Sequence, residues 1–168
     1  MSDEPAVLDT NILAYAYDRS DAKRRKICGK IVKSCFLGES RCYVSGQILG
    51  ELYVVLTKKV AKPLSNAQAA LIIDGFVDSP NWGKLDYSHA TVKRTVEDLK
   101  TVGTSFWDML IAETMRDAGV RLLYTENEKD FEMIPWVTVK NPLLVDSSTR
   151  ASPSEAKKTR SRASPLSG

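Results

Sequence analysis

Acidic side chains at three distant points of the chain are the residues best suited to chemistry. Asp9 follows the apolar run 6–8, Glu51 interrupts an apolar stretch, and Asp108 lies among aromatic and aliphatic residues. A carboxylate in such surroundings costs free energy unless a cation or a hydrogen-bond donor meets it. If the three groups converge, they form a set of oxygen ligands for a hard divalent cation, Mg²⁺ or Mn²⁺.

The single histidine, His89, narrows the chemistry further. It excludes imidazole-rich zinc sites and two-histidine mechanisms, and it disfavours a serine or cysteine triad. A cation held by carboxylates can instead activate water and neutralise phosphate charge during an in-line phosphodiester displacement. Without the cation the carboxylates would repel one another, and the pKa of one of them would rise. The residue types therefore favour metal-dependent phosphodiester hydrolysis.

Each acid also has a purely structural interpretation. Asp9 could cap the following helix, and Glu51 could lie on the solvated side of its own helix. Asp108 stands three residues after Ser105, a capping-box spacing that stabilises a first turn by about 1 kcal/mol. Asp130, in a polar loop, could simply be exposed. Taken one by one, these interpretations do not explain why three of the four acids stand at the end of an element or in a loop.

Short apolar strands that alternate with amphipathic helices must position these side chains. The predicted strands are 6–8, 42–44, 83–87, 120–124 and 137–139, and the predicted helices begin near Ile12, Asp21, Ser45, Ser65, Ser88 and Ser105. This alternation implies an α/β fold whose parallel sheet is covered on both faces. Asp9 and the segment 125–127 then lie at the same edge, beyond the C-terminal ends of two strands, where such sheets bind ligands.

Composition indicates a globular protein of a reducing compartment. The 168 residues suffice for one domain, and 43% hydrophobic with 27% charged residues excludes a disordered or fibrous chain. The acidic start lacks the features of a signal peptide, and no apolar run is long enough to cross a bilayer, which favours a cytoplasmic protein without membrane contact. Cys28, Cys35 and Cys42 form no Cys-x-x-Cys pair, so we expect buried or inert thiols.

The end of the chain has a different composition. Residues 146–168 are rich in Ser, Ala, Pro and basic residues, and from Arg150 onward five basic residues face one acidic residue. We therefore predict a domain over 1–145 and a disordered basic tail over 146–168. The tail is a weak indication of a polyanionic partner.

Two further features bear on partners. One face of the second predicted helix is basic, which would suit an RNA backbone, although such a stripe is more often only a solvated face. Its residues are Lys23, Arg24, Arg25, Lys26, Lys30 and Lys33. Trp82, Trp107 and Trp136 are expected in the core or an interface rather than as platforms for stacked bases.

Four short segments, taken together, resemble the motifs of PIN-domain nucleases, and most closely those of VapC-type ribonuclease toxins of bacterial toxin–antitoxin modules. The segments read VLDTNIL from Val7, SGQILGE from Ser45, SFWDMLIA from Ser105 and LYTENEKD from Leu123. Each segment is short, but the ordered set of four at these separations is specific. The similarity spans residues 6–143.

The resemblance implies a three-layer α/β/α sandwich around a central parallel sheet of four to five strands. It also implies metal-dependent RNA cleavage by an activated water, frequent homodimers and a small antitoxin partner. By position, Asp9 and Asp108 would ligate Mg²⁺ or Mn²⁺ directly, and Glu51 would complete the set directly or through water. Thr10 and Asn11 would hold Asp9 and neighbouring waters. Independently of the resemblance, Thr10 or Asn11 is available as a cap of the first helix.

One position departs from the family pattern. The segment that follows the fourth strand, Thr125-Glu126-Asn127, ends in Asn127 where the family usually has aspartate. An amide oxygen can ligate a metal but brings no charge, so a second metal would be weaker unless Glu126, Glu128 or Asp130 contributes. The departure motivates an alternative, a catalytically weakened PIN domain that acts as an RNA-binding or assembly module.

A third hypothesis is a phosphotransfer domain in which Asp9 accepts the phosphoryl group and Lys140 assists. This reading is disfavoured by the sequence. Asn11 stands where an Asp-x-Asp phosphatase needs its second carboxylate.

Overall fold

Five short parallel strands form one central sheet, in a computed structural model that describes residues 4–144. The strands are β1 (Ala6–Leu8), β2 (Cys42–Ser45), β3 (Trp82–Leu85), β4 (Leu122–Tyr124) and β5 (Thr138–Lys140). The helices are α1 (Thr10–Tyr17), α2 (Ala22–Phe36), α3 (Gly46–Lys58), α4 (Asn66–Asp78), α5 (His89–Asp98), α6 (Phe106–Asp117) and α7 (Glu128–Phe131). The predicted basic tail lies outside the described residues, and no helix within them is long and apolar enough to span a membrane.

The strand order β3-β2-β1-β4-β5 confirms the predicted α/β class with an all-parallel sheet flanked by helices. From β1 the chain adds β2 and β3 on one side of the sheet and returns to add β4 and β5 on the other. The order therefore reverses between β1 and β4, which is where open parallel sheets bind ligands. Leu8 pairs in register with Tyr124, so Asp9 and Thr125 emerge side by side.

The core lies on both faces of the sheet, because every residue of β1 and β4 is buried. On one side the rings of Phe36, Phe76 and Trp82 pack together, with centroids 4.8–5.5 Å apart. Trp82 is thus a core residue, as predicted. The half-buried Trp136 donates its indole N–H to the carbonyl of Ala112 at 3.1 Å.

The prediction of unpaired thiols is wrong for two of the three cysteines. Cys35, in the last turn of α2, and Cys42, the first residue of β2, form a disulfide with Cα atoms 5.7 Å apart. The chain reverses between α2 and β2, and this turn brings the two residues together. Cys28 is buried and free, as predicted, and burial raises the pKa of its thiol to about 11. The cysteines therefore no longer support a reducing compartment.

Candidate active site

Asp9 lies where β1 ends and α1 begins, at the centre of the sheet edge. Its backbone N–H donates to the carbonyl of Tyr124 at 3.0 Å, which extends the β1–β4 ladder by one residue. Its Oδ1 accepts from the backbone N–H of Thr10 at 2.6 Å. Asp9, rather than Thr10 or Asn11, therefore caps α1, because the helix already begins at Thr10. The capping interpretation and a role in a site are compatible, since one oxygen makes the cap.

The second oxygen of Asp9 is held by two neutral donors. Oδ2 accepts from the Asn11 side-chain amide at 2.7 Å and from the Thr125 hydroxyl at 2.6 Å. The side chain is 7% exposed. Burial raises the pKa of Asp9 to about 6, with smaller upward contributions from the charges of Glu51 and Asp108, against the lowering effect of its hydrogen bonds. Asp9 is thus a fixed, buried carboxylate among other carboxylates.

Glu51 reaches the same edge from α3, which begins directly after β2 with Ser45 as its cap. The Thr10 hydroxyl donates to Glu51 Oε2 at 2.9 Å, and the Gln47 amide donates to Oε1 at 2.9 Å. Thr10 therefore holds Asp9 through its backbone and Glu51 through its side chain. Glu51 is half-buried and fixed at both oxygens, so it is more than a solvated residue of its helix.

Asp108 is the third residue of α6 and lies in its first turn. The Ser105 hydroxyl accepts from the Asp108 backbone N–H at 3.1 Å and donates to Asp108 Oδ2 at 2.6 Å, so Ser105 caps the helix, but Asp108 bonds the Ser105 hydroxyl instead of completing the predicted capping box. Burial raises the pKa of Asp108, as do the charges of Asp130 and Glu51, whereas the bond from Ser105 lowers it. The cap therefore leaves Asp108 within electrostatic reach of the other acids.

The segment after β4 contributes unequally to this edge. Thr125 is fully buried, and its hydroxyl accepts from the backbone N–H of Asn127 at 3.0 Å while donating to Asp9. Asn127 itself is exposed. Asp130 is exposed too, but its charge acts on Asp108, and its backbone carbonyl accepts from the Thr104 hydroxyl at 2.6 Å. Of the acids that could replace the missing aspartate, Asp130 acts on the site.

The other two acids of this segment have partners elsewhere. Glu126 forms an ion pair with Arg24 at 2.7 Å and accepts a hydrogen bond from the Tyr15 hydroxyl. Glu128 accepts from the side-chain amide of Asn141 at 3.1 Å. Glu126 still supports the site through its backbone, because its N–H donates to the Asn11 side chain at 3.2 Å.

Sequence reasoning missed three residues that shape the site. Gln47 stands four residues before Glu51 on one helix face, and that spacing is a signal that could have found it. Arg24 lies over the ring of Tyr15, 4.6 Å from its centroid, and both side chains contact Glu126, which is far from them in sequence. Burial raises the pKa of Tyr15 to about 12, and the Glu126 carboxylate adds to that rise. No local sequence pattern indicates the contact of Arg24 and Tyr15 with Glu126.

The donor set fits a hard divalent cation. Within residues 4–144 no lysine or arginine forms an ion pair with Asp9, Glu51 or Asp108. Across the same residues, no three acidic, histidine or cysteine side chains stand close enough to enclose a metal ion as placed. Mg²⁺ does not need such a cage, because it keeps several waters and is bound through one or two carboxylates and substrate phosphates. Asp9, Glu51 and Asp108 act on one another's charge and have no basic partner among residues 4–144, which is compatible with that requirement.

The fold of this chain is similar to that of several proteins of known structure. Similar solved structures include Mycobacterium tuberculosis VapC20, described as a sarcin–ricin loop cleaving toxin, with a TM-score of 0.59 and 19% identity over 76% of this chain and 92% of that chain. DNA-bound VapBC from Salmonella typhimurium gives 0.59 and 21% over 83% and 98%. Promoter-bound VapBC2 from Rickettsia felis gives 0.56 and 22% over 81% and 97%. These likenesses concern the fold.

No curated protein matches the chain. A family model described as the PIN domain matches residues 6–136. This range contains strands β1 to β4 but not the edge strand β5. The matched range contains Asp9, Glu51 and Asp108. The chain belongs to the PIN domain family.

Proposed function

We propose that the protein is an endoribonuclease that depends on Mg²⁺ or Mn²⁺ and is the toxin of a type II toxin–antitoxin pair. The observation that carries the proposal is the electrostatic proximity of Asp9, Glu51 and Asp108, which come from three elements of a PIN-domain fold, with Asp9 at the end of β1 where the strand order reverses. Within the described residues no basic side chain pairs with them. An added cation would remove their mutual repulsion.

Asp9 and Asp108 would hold the ion directly, and Glu51 directly or through water. When bound, such an ion lowers the pKa of water and neutralises charge on phosphate oxygens. The chain's own contribution is orientation: Thr10 fixes Asp9 relative to Glu51, and Thr125 fixes the second Asp9 oxygen. Hydrogen-bonded ligands of this kind preserve the geometry that a metal site needs.

We propose a single strongly bound ion rather than two. Asn127 brings no charge to the position at which a second ion would need it, and Glu126 is neutralised by Arg24. Asp130 supports a weak second site at most, because it is exposed and acts on Asp108 from a distance without a direct contact.

The proposed partners are RNA, a cognate antitoxin and a second copy of the chain, in the cytoplasm. Support for the antitoxin comes from the similar structures, which include VapBC from Salmonella typhimurium and a toxin–antitoxin complex from Klebsiella pneumoniae. Trp107, 57% exposed, is a candidate for a homodimer contact. Light scattering after gel filtration measures the oligomeric state, and a monomer would remove that part of the proposal.

Cleavage of ribosomal RNA with and without EDTA tests the proposed activity. We expect Mg²⁺-dependent cutting by the unaltered protein and loss of cutting in Asp9→Asn and Asp108→Asn. Asp86→Asn serves as a matched control, because Asp86 is an exposed acid outside the site. Cleavage that survives both Asp9→Asn and Asp108→Asn would remove the mechanism, and expression that does not arrest growth would remove the toxin assignment.

Asn127 favours one second candidate, a PIN domain that binds RNA or a partner with little turnover. Such a module would hold RNA equally well in chelator and would cut it slowly or not at all. Asn127→Asp would then raise cleavage. A phosphotransfer role gains no support, because Asp9 is buried with both oxygens hydrogen-bonded, and the Lys140 ammonium lies 5.5 Å from the centroid of the Tyr124 ring.

A further inference from the structure

We propose that an exposed groove on α2 binds the RNA backbone beside the active site and selects RNA that extends past the cleaved bond. This inference rests on the proposed ribonuclease function and deepens it. The groove, called here the basic groove, is lined by four cationic side chains and has a volume of about 390 Å³. Its cationic residues are Arg25, Lys26, Lys30 and Lys33.

The charge of α2 is one-sided. The helix carries six basic residues and no acidic residue. Across residues 4–144 none of the four cations of the basic groove takes part in an ion pair. All four are exposed, whereas the opposite face of the helix is buried in the core. Their charge is therefore available to an outside anion.

The floor of the basic groove is open. Ala22 and Gly29 lie between the four long side chains, and a Cβ added at Gly29 would meet no atom within 4 Å. A backbone could therefore lie along the helix with cations on either side. The lining holds no large apolar side chain, whereas protein interfaces bury aromatic and aliphatic anchors at their centre. The groove thus suits a polyanion better than a protein surface.

The helix that carries the basic groove is connected to the candidate site through Arg24. Arg24, next to Arg25, is paired with Glu126, whose backbone N–H donates to Asn11, and Asn11 in turn holds Asp9. This chain of contacts ties the start of α2 to the active site. Arg24 is neutralised by that pairing, so the cations that remain for RNA are those further along the helix.

The candidate site is negatively charged and the basic groove is positively charged, so the two regions have complementary roles towards RNA. A site made of carboxylates repels every phosphate that does not face a bound cation. A basic surface nearby supplies the attraction, and release of counterions from the RNA makes that attraction favourable. Arg25 and Lys33 lie eight residues apart, about 12 Å along the helix, which matches roughly three to four nucleotides of a duplex strand. Contacts of this kind position an RNA without reading its sequence.

The salt dependence of RNA binding tests the inference. The basic-groove variant carries Arg25→Gln, Lys26→Gln, Lys30→Gln and Lys33→Gln. The matched control carries Lys58→Gln, Lys62→Gln, Lys93→Gln and Lys100→Gln, which removes the same charge from exposed lysines elsewhere. Anisotropy of a fluorescein-labelled RNA hairpin is measured in EDTA against KCl concentration, so that no cutting interferes.

We expect the basic-groove variant to lose about 3 from the slope of log affinity against log salt, and about 100-fold in affinity at about 0.1 M salt. The control should keep the slope within about 1 of the unaltered protein. If the fourfold variant does not fold, as judged by circular dichroism, the paired variants Arg25→Gln with Lys26→Gln and Lys30→Gln with Lys33→Gln should each lose about half of that slope.

Equal slopes of log affinity against log salt for the basic-groove variant and the unaltered protein would overturn the inference. The basic groove would then bind an acidic protein partner or face solvent. The proposed function fails separately. If the unaltered protein binds the hairpin in EDTA but cuts no ribosomal RNA with Mg²⁺, the nuclease assignment is lost while the RNA contact stands. If it cuts, the basic-groove variant should still cut a short single-stranded oligonucleotide that cannot reach α2, and should lose activity on long RNA.

Discussion

Two buried carboxylates in this domain have opposite surroundings. Glu113, fully buried on α6, accepts from Arg94 at 2.9 Å and from Arg116 at 3.3 Å. Asp9, buried at the sheet edge, receives only neutral donors and faces two further carboxylates. Buried charge is tolerated when it is paired. Each acid of the α5–α6 network therefore has a guanidinium partner, whereas no basic side chain among residues 4–144 pairs with the acids of the sheet edge.

The pKa shifts follow the same division. Hydrogen bonding from Arg94 lowers the pKa of Asp117, which belongs to the network of Glu113. Burial raises the pKa of Asp9 to about 6 and raises that of Asp108. Carboxylates of the first kind stabilise the fold, while those of the second kind are candidates for function because the fold leaves them unneutralised.

The largest expected effect is a loss of RNA cleavage without a loss of thermal stability when Asp9, at the sheet edge, is substituted. Asp9→Asn should lower RNA cleavage by about 1,000-fold or more, because it would remove a charged ligand of the proposed ion, which would supply several kcal/mol of transition-state stabilisation. Thermal stability should hold or rise, because a carboxylate near two others is replaced by a neutral group. Cleavage kinetics and melting are measured on the same preparation. A destabilised variant that still cuts would contradict the distinction.

Glu113→Gln should lower the stability of the fold and leave RNA cleavage unchanged. The substitution removes the buried carboxylate that Arg94 and Arg116 share, but both guanidinium groups are partly exposed and keep Asp117 and Asp98 as partners, so we expect a loss of about 1 to 2 kcal/mol in the free energy of unfolding. Cleavage per folded molecule should not change. Urea unfolding gives the first quantity, and an unchanged midpoint would show that the network does not stabilise the fold.

Stability should also depend on pH through Asp9. The folded-state pKa of about 6 lies above the ordinary value of 3.8, so the folded state binds this proton more tightly than the unfolded state. The free energy of unfolding should therefore fall, by on the order of 2 kcal/mol, as the pH rises from about 4 to about 6. Asp9→Asn should remove this decrease, and a parallel profile in that variant would assign it to another group.

The smallest effect concerns the ion pair that borders the site. Arg24→Glu should weaken cleavage by about fivefold, corresponding to about 1 kcal/mol, because Glu126 loses its partner and the loop that carries Thr125 is less firmly held. The reversed pair, Arg24→Glu with Glu126→Arg, should restore activity and the Mg²⁺ dependence. Failure of the reversed pair to recover would show that Arg24 acts through its own charge rather than through Glu126.

Part of this arrangement was predictable from local sequence. The position of Asp9 beside Thr125 follows from parallel strands that end together, and the contact between Ser105 and Asp108 follows from a spacing within one helix. Both rest on the geometry of regular elements.

The remainder depends on tertiary contacts without a local pattern. Thr10 meets Glu51 across 41 residues, and Arg24 meets Glu126 across 102. The disulfide between Cys35 and Cys42 was missed because the spacing of cysteines does not show where the chain reverses. Side-chain pairing between elements is decided by how the elements pack, and a single sequence does not reveal that.

Calorimetric titration of Mg²⁺ into the purified protein tests the central distinction most directly. We predict saturable binding of one ion to the unaltered protein and to Glu113→Gln, and loss of that binding in Asp9→Asn. Equal binding by Asp9→Asn, or no binding by the unaltered protein, would contradict the account that the sheet edge is completed by a divalent cation.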